Sequence, residues 1–98
     1  MLTSKQRAFL RSKANTEAPI LHLGKGGISE TLLLQAEDAL TARELIKGKV
    51  LETAPLSSRE AAEQIAQAVH AEVVQVIGRI FVLYRRHPKE PKIEFPKG

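Results

Sequence analysis

Gly24-Lys25-Gly26-Gly27 is the tetrapeptide of this chain best suited to hold an anion. Glycines let a phosphate-sugar backbone come close, and Lys25 adds positive charge at the same point. The four residues follow a short apolar run, residues 20–23, and precede a helical pattern. A loop so placed, opening a helix at the carboxyl end of a strand, offers free backbone N–H groups and the positive end of the helix dipole. The same glycines also suit a tight turn that needs positive φ and contacts nothing. Three of the chain's six glycines lie here, which tilts the reading toward contact.

A G-x-x-G loop between strand and helix is how KH domains clamp a nucleic-acid backbone. Other glycine motifs fail. The dinucleotide pattern needs a third Gly after two more residues, and a P-loop needs Lys-Ser or Lys-Thr after its last Gly. Here Gly26 is followed by Gly27, Ile28 and Ser29. Basic residues form several separate clusters: Lys5, Arg7 and Arg11 near the start, Lys47 and Lys49 on one strand face, Arg79 at a turn, and Arg85-Arg86 after the last strand. Each cluster alone fits an ordinary wet surface. Their number favours a polyanionic partner.

Catalytic and metal constellations are missing from the sequence. His22, His70 and His87 are far apart, and none has a partner at metal-ligand spacing. His22, on a short strand, reads as a partly buried structural residue. Glu37-Asp38 and Glu60 with Glu63 lie on helical stretches, where solvation or capping explains them. No nucleophile motif is present. No cysteine is present either, so disulfides and thiolate metal sites are out. The expectation is a non-enzyme without cofactor, metal or small-molecule substrate.

The elements that position these residues follow from pattern. Thr3 and Gln6 make a capping box for a helix over residues 4–14, with Phe9, Leu10 and Leu2 inward and Arg7 and Arg11 together on the opposite side. Residues 20–23 form a strand, and residues 29–42 a helix with Leu32, Ala36, Ala39 and Leu40 on one side. Residues 45–51 alternate, Ile46 and Val50 one way, Lys47 and Lys49 the other. Ser57 and Glu60 cap a third helix reaching about residue 70, with Ala61, Ile65, Ala68 and Val69 inward. Residues 73–77 and 80–84 make a hairpin across Gly78-Arg79, the signature of a type II′ turn. Pairing across it predicts Val74, Val76, Phe81 and Leu83 on the buried face.

The order is α-β-α-β-α-β-β in one domain, an α+β fold with a mixed four-stranded sheet and three helices. Strands joined through helices should pair in parallel, and the hairpin adds an antiparallel strand. Residues 1–87 form the domain, and residues 88–98, rich in Pro and Lys, an extended or mobile tail.

Ninety-eight residues allow one core. With no Trp, one Tyr and three Phe, that core is aliphatic, and rows of aromatic stacking platforms are largely excluded. The formal charge is +4, unevenly spread. Residues 1–16 hold four basic residues and no acid, residues 79–98 hold six against Glu90 and Glu94, and the acids concentrate in between. The polar start and the lack of a run of about 18 apolar residues point to the cytoplasm and away from membranes.

Four segments together resemble the YhbY-like family, bacterial stand-alone versions of the CRM domain named for chloroplast RNA splicing and ribosome maturation. They are Leu2-Thr3-Ser4-Lys5-Gln6-Arg7, Leu23-Gly24-Lys25-Gly26-Gly27, Glu44-Leu45-Ile46-Lys47, and Gly78-Arg79-Ile80-Phe81-Val82-Leu83-Tyr84-Arg85. The likeness spans about residues 2–86. It implies a fold similar to the carboxyl domain of translation initiation factor three. It also implies RNA binding through the G-x-x-G loop, and association with precursors of the large ribosomal subunit. The chain departs from the family at Gly48, where members carry a β-branched residue; a strand-interior Gly marks a bulge or a close backbone approach.

The expected RNA contacts are therefore Gly24, Lys25, Gly26 and Gly27, surrounded by Lys5, Arg7, Arg11, Lys47, Lys49, Arg79, Arg85 and Arg86. The expected partner is ribosomal RNA or a large-subunit precursor, gripped by a monomer mainly through phosphates. The alternative is a protein-interaction module docking on a ribosomal protein or assembly factor, its charge serving steering or solubility.

Overall fold

The computed structural model describes residues 2–95, so Met1 and the last three residues of the expected tail lie outside the described residues. Seven elements follow in order: α1 (Ser4–Ala14), β1 (Leu21–Leu23), α2 (Glu30–Arg43), β2 (Leu45–Val50), α3 (Ser58–Val69), β3 (Glu72–Ile77) and β4 (Ile80–Tyr84). The α+β order read from pattern is the order found.

Local chemistry sets the helix ends. Both capping boxes form: Thr3 accepts from the Gln6 amide while the Gln6 side chain accepts from the Thr3 amide, and Ser57 and Glu60 repeat the arrangement. Each satisfies two N–H groups that a helix start otherwise leaves open. His70 closes α3 in the left-handed conformation, and Glu44 closes α2 at φ 66°.

The four strands lie in the order β1-β2-β4-β3. β1 runs parallel to β2, while β4 is antiparallel to both β2 and β3. The expected parallel pairing across each helix therefore holds for β1 with β2 and fails for β2 with β3. The hairpin's return strand inserts between them, because Phe81, Val82, Leu83 and Tyr84 are its fully apolar run and the sheet centre buries both faces.

Two cores result. α2 and α3 pack Leu32, Leu40, Ile65 and Val69 against Leu21, Leu23, Ile46, Val50, Phe81 and Leu83 on one face. α1 packs Leu10 and Ala14 against Leu45, Val74, Val82 and Tyr84 on the other. Each fully buried leucine contributes about 2 kcal/mol. The hairpin face differs from expectation here: the register shifts between Val73 and Gln75, so Val74 crosses to the α1 side while Val76, Phe81 and Leu83 keep the other. A bulge sets two residues against one, which reverses the alternation beyond it. On α3, Ala68 is exposed, and Ala62 and Ala66 take inward places instead.

Gly48 proves to be a close approach rather than a bulge. The register of β2 runs unbroken, and a Cβ at this position would lie 2.2 Å from Cζ of Phe81. Lys47 and Lys49 therefore keep the outer face, opposite α2 and α3.

Candidate nucleic-acid interface

Strand direction gathers four segments at one end of the sheet. The turn after β1, the end of β2, the Gly78-Arg79 tip and the start of α3 meet there. The Gly27 amide donates to the Gly24 carbonyl at 2.9 Å, closing the turn, and the Leu51 amide donates to the Leu23 carbonyl at 2.7 Å. The Val50 amide donates to the Arg79 carbonyl at 2.8 Å, and Ser58 Oγ to the Gly78 carbonyl at 2.7 Å. Gly27 sits at φ 63°, a conformation that favours glycine, whereas a Cβ on Gly26 would meet nothing within 4 Å. Lys25 and Gly26 are exposed at the tip.

The loop does not open the helix directly. Ile28 and Ser29 intervene, Ser29 Oγ accepts from the Leu32 amide at 3.1 Å, and Glu30 stands in the first turn. The helix terminus is thus capped and faced by a carboxylate, so the loop's attraction for an anion rests on Lys25 and its own open backbone. Lys49 is exposed on the outer face nearby, Lys47 is half-buried behind it, and Arg79 is exposed with a 3.5 Å ion pair to Glu52. His22, expected to be partly buried, is exposed: Leu21 and Leu23 turn inward, so His22 faces out as the register partner of Lys49. Its three-residue strand has one outward position, and His22 holds it.

At the opposite end, two of the basic residues, Arg85 and Arg7, are taken up internally. Arg85 donates to Glu37 Oε2 at 2.7 Å, to the Val69 carbonyl at 2.9 Å and to Thr41 Oγ1 at 2.9 Å, tying the ends of α2 and α3 to β4. Arg7 lies on the same side of α1 as Leu10 and Ala14, contrary to its expected pairing with Arg11, and donates to the Val73 and Val74 carbonyls. Three- and four-residue steps join 7, 10 and 14 into one helical stripe, and the bulge offers carbonyls to a long donor. Arg11 and Lys5 are exposed on α1, and Arg86 is exposed beside Tyr84 and Glu72.

Between α2 and β2, Glu44 is fully buried. Its carboxylate accepts from the amides of His87 at 2.7 Å, Lys92 at 2.6 Å and Ile93 at 2.7 Å. Burial pushes its pKa up, but these three amides and the neighbouring His87 outweigh burial and hold it below the ordinary carboxylate value. Residues 88–95 thus have neither helix nor strand yet are tied to the domain, with Phe95 5.7 Å from the rings of both Phe9 and Tyr84.

The family model for the CRS1/YhbY (CRM) domain matches residues 2–85. The chain belongs to the CRS1/YhbY (CRM) domain family. It is 42% identical over 96 residues to a Bacillus subtilis protein named "Probable RNA-binding protein YqeI", covering 98% of this chain and 100% of that one. A Haemophilus influenzae protein named "RNA-binding protein" is 38% identical, over 98% of this chain and 96% of its own. The solution structure of SAV1595 from Staphylococcus aureus shares the fold at a TM-score of 0.80 and 45% identity, covering 98% of this chain and all of that one.

Within this CRM domain, Gly24, Lys25, Gly26, Gly27, Lys49 and Arg79 come together at the loop end, with Lys47 behind them. Lys5, Arg7, Arg11, Arg85 and Arg86 belong to the other half. Sequence reasoning missed Glu44, whose only signal was an acid wedged between a helix and an apolar strand. It also misjudged His22, for which the Leu-His-Leu alternation was the usable sign. Among the described residues, no helix is long and apolar enough to cross a membrane, and no three His, Asp or Glu side chains group to hold a metal.

Proposed function

We propose that this CRM domain is a non-catalytic, cytoplasmic RNA-binding protein that assists assembly of the large ribosomal subunit. In this reading it acts as a monomer that grips ribosomal RNA by its backbone. The observation that carries the reading is the Gly24–Gly27 turn: Gly26 stands in open space beside the exposed Lys25, with Arg79 and Lys49 at the same end of the sheet. A backbone that meets no side chain leaves room for a phosphate at close range, and the lysines and arginine supply the attraction. The names of the relatives support RNA as the partner. The ribosomal target follows from the family resemblance.

The test compares the natural protein with the Lys25→Glu, Gly26→Asp double variant on large-subunit RNA fragments across a salt series, with folding checked by circular dichroism. The natural protein should bind with a steep salt slope, and the folded variant should lose about tenfold or more in affinity. Equal binding by the two would reduce the loop to a turn.

One observation favours the second reading, docking on a ribosomal protein or assembly factor. Leu34 is 66% exposed above a shallow groove formed with Leu33, Ala68 and Val69 between α2 and α3. Binding there would respond weakly to salt.

A further inference from the structure

α1 covers only half of the sheet's outer face. Its partners Leu45, Val74 and Tyr84 lie at the end away from the Gly24–Gly27 turn. At the turn's end, one register row crosses all four strands without a helix above it: His22 on β1 pairs with Lys49 on β2, Lys49 with Ile80 on β4, and Ile80 with Ile77 on β3. His22 and Lys49 are exposed, Ile80 is half-buried, and Ile77 is 61% exposed. Among the described residues, His22, Lys25 and Lys49 have no hydrogen bond or ion pair through their side chains. The row spans about 14 Å at ordinary strand spacing.

We propose that this row is a nucleobase platform, so that the ligand of the loop end is an unpaired stretch of RNA rather than a duplex. The inference rests on the RNA-binding reading and narrows it. A planar imidazole and two isoleucine side chains on one face of the sheet offer what an unstacked base needs, an apolar floor and a ring to lie on. Lys49 stands inside the row, and Lys25 and Arg79 stand at its edge, where the phosphates joining successive bases would run. A duplex hides its base faces in its own stack and would leave Ile77 and Ile80 facing water. A protein surface would bury the isoleucines equally well, but it would have to neutralise Lys49, Lys25 and Arg79 at the same place. A strand carrying one phosphate per base meets both demands at once.

The experiment measures affinity at one salt concentration for three probes: an unstructured 12-nucleotide RNA, the same strand with abasic sites throughout, and its blunt duplex. Three proteins are compared: the natural chain, a His22→Ala, Ile77→Thr variant, and the Lys25→Glu, Gly26→Asp variant. The natural chain should favour the single strand over the abasic strand and the duplex by at least tenfold. The platform variant should bring that preference to within twofold while keeping its affinity for the abasic strand. The loop variant should weaken both strands alike. If the natural chain binds the abasic strand or the duplex as well as the intact strand, the platform is wrong. A folded platform variant that keeps its preference sinks it too, and the loop reading survives if the loop variant still loses affinity. Failure of all three probes to bind overturns the platform, and the RNA reading then stands or falls on the large-subunit fragments alone.

Discussion

Arg7 and Arg85 at one end of the sheet, and Lys25, Lys49 and Arg79 at the other, are used in opposite ways. At the far end, Arg85 has a fork of acceptors from Glu37, Thr41 and Val69, and Arg7 is drawn under the bulge at Val73 and Val74. At the loop end, Lys25 and Lys49 have no partner among the described residues, and Arg79 holds only an exposed pair with Glu52. An exposed pair of that kind contributes little and is readily exchanged for a phosphate. The lesson concerns availability: a cation serves a ligand when its own chain leaves it unclaimed, as for Lys25 and Lys49, or holds it only in an exposed pair, as for Arg79. The contrast predicts large stability effects with no binding role at one end, and small stability effects with a large binding role at the other.

The largest stability loss belongs to Glu44. Glu44→Ala leaves the His87, Lys92 and Ile93 amides without their acceptor and frees the segment that carries Phe95. Unsatisfied buried donors cost about 1–3 kcal/mol each, and water recovers part of that, so urea unfolding should show a loss of about 3 kcal/mol. A loss below about 1 kcal/mol would mean that solvent serves these amides equally well. The same site gives the domain an acid limb. Glu44 is held below its ordinary pKa in the fold, so the unfolded chain binds the proton more readily. Its contribution is complete above the unfolded value, about 4.3, and is lost as pH falls through the lower folded value. Glu60, lowered by the Ser57 amide and hydroxyl, acts in the same direction. Glu44→Gln should therefore flatten the stability profile below about pH 4 and leave RNA affinity at pH 7 unchanged.

Arg85 comes next. Its side chain is only 20% exposed, while its partner Glu37 is 48% exposed. Truncation removes a partly screened ion pair together with bonds to a carbonyl and a hydroxyl, so Arg85→Ala should cost about 2 kcal/mol. Arg85→Lys should recover less than half, because one ammonium cannot reach the acceptors that a planar fork meets together. RNA affinity should not change in either folded variant. A selective loss of affinity would move Arg85 to the interface and erase the contrast between the ends.

How much of this was legible in the sequence depends on the range of the interaction. Capping boxes and the Gly78-Arg79 turn are written within a few residues and formed where their pattern placed them, and the helical stripes did so except at Arg7 and Ala68. The turn at Gly24-Lys25-Gly26-Gly27 was legible for the same reason. What sequence could not carry was parity after an irregularity. The bulge at Val74 reverses the alternation of β3, and nothing in a run of valines marks it. Nor could it carry long-range capture. Arg7 meets Val73 and Glu44 meets Ile93 across half the chain or more, and neither pairing leaves a local trace. Strand order fell in the same gap: the insertion of β4 between β2 and β3 is decided by which strand is apolar on both faces, not by which helix joins which strands.

The smallest effects lie within the loop, where two neighbouring glycines serve different ends. Gly27 has φ 63°, and a Cβ on it would stand 3.2 Å from Cγ of Pro55. Gly27→Ala should therefore cost about 1–2 kcal/mol, the penalty of left-handed backbone in an L-residue. Gly26 has no such φ and open space around its Cβ position, so Gly26→Ala should change stability by less than about 0.5 kcal/mol. If Gly26 serves the turn, its alanine variant should bind RNA as the natural protein does, because the turn is intact. If it serves a close backbone contact, a methyl group there displaces a phosphate-sugar chain, and affinity falls several-fold in a protein of unchanged stability. Titration of a large-subunit RNA fragment with this one variant separates turn from grip, since Gly26 is the loop position where a binding loss cannot be traced to the fold.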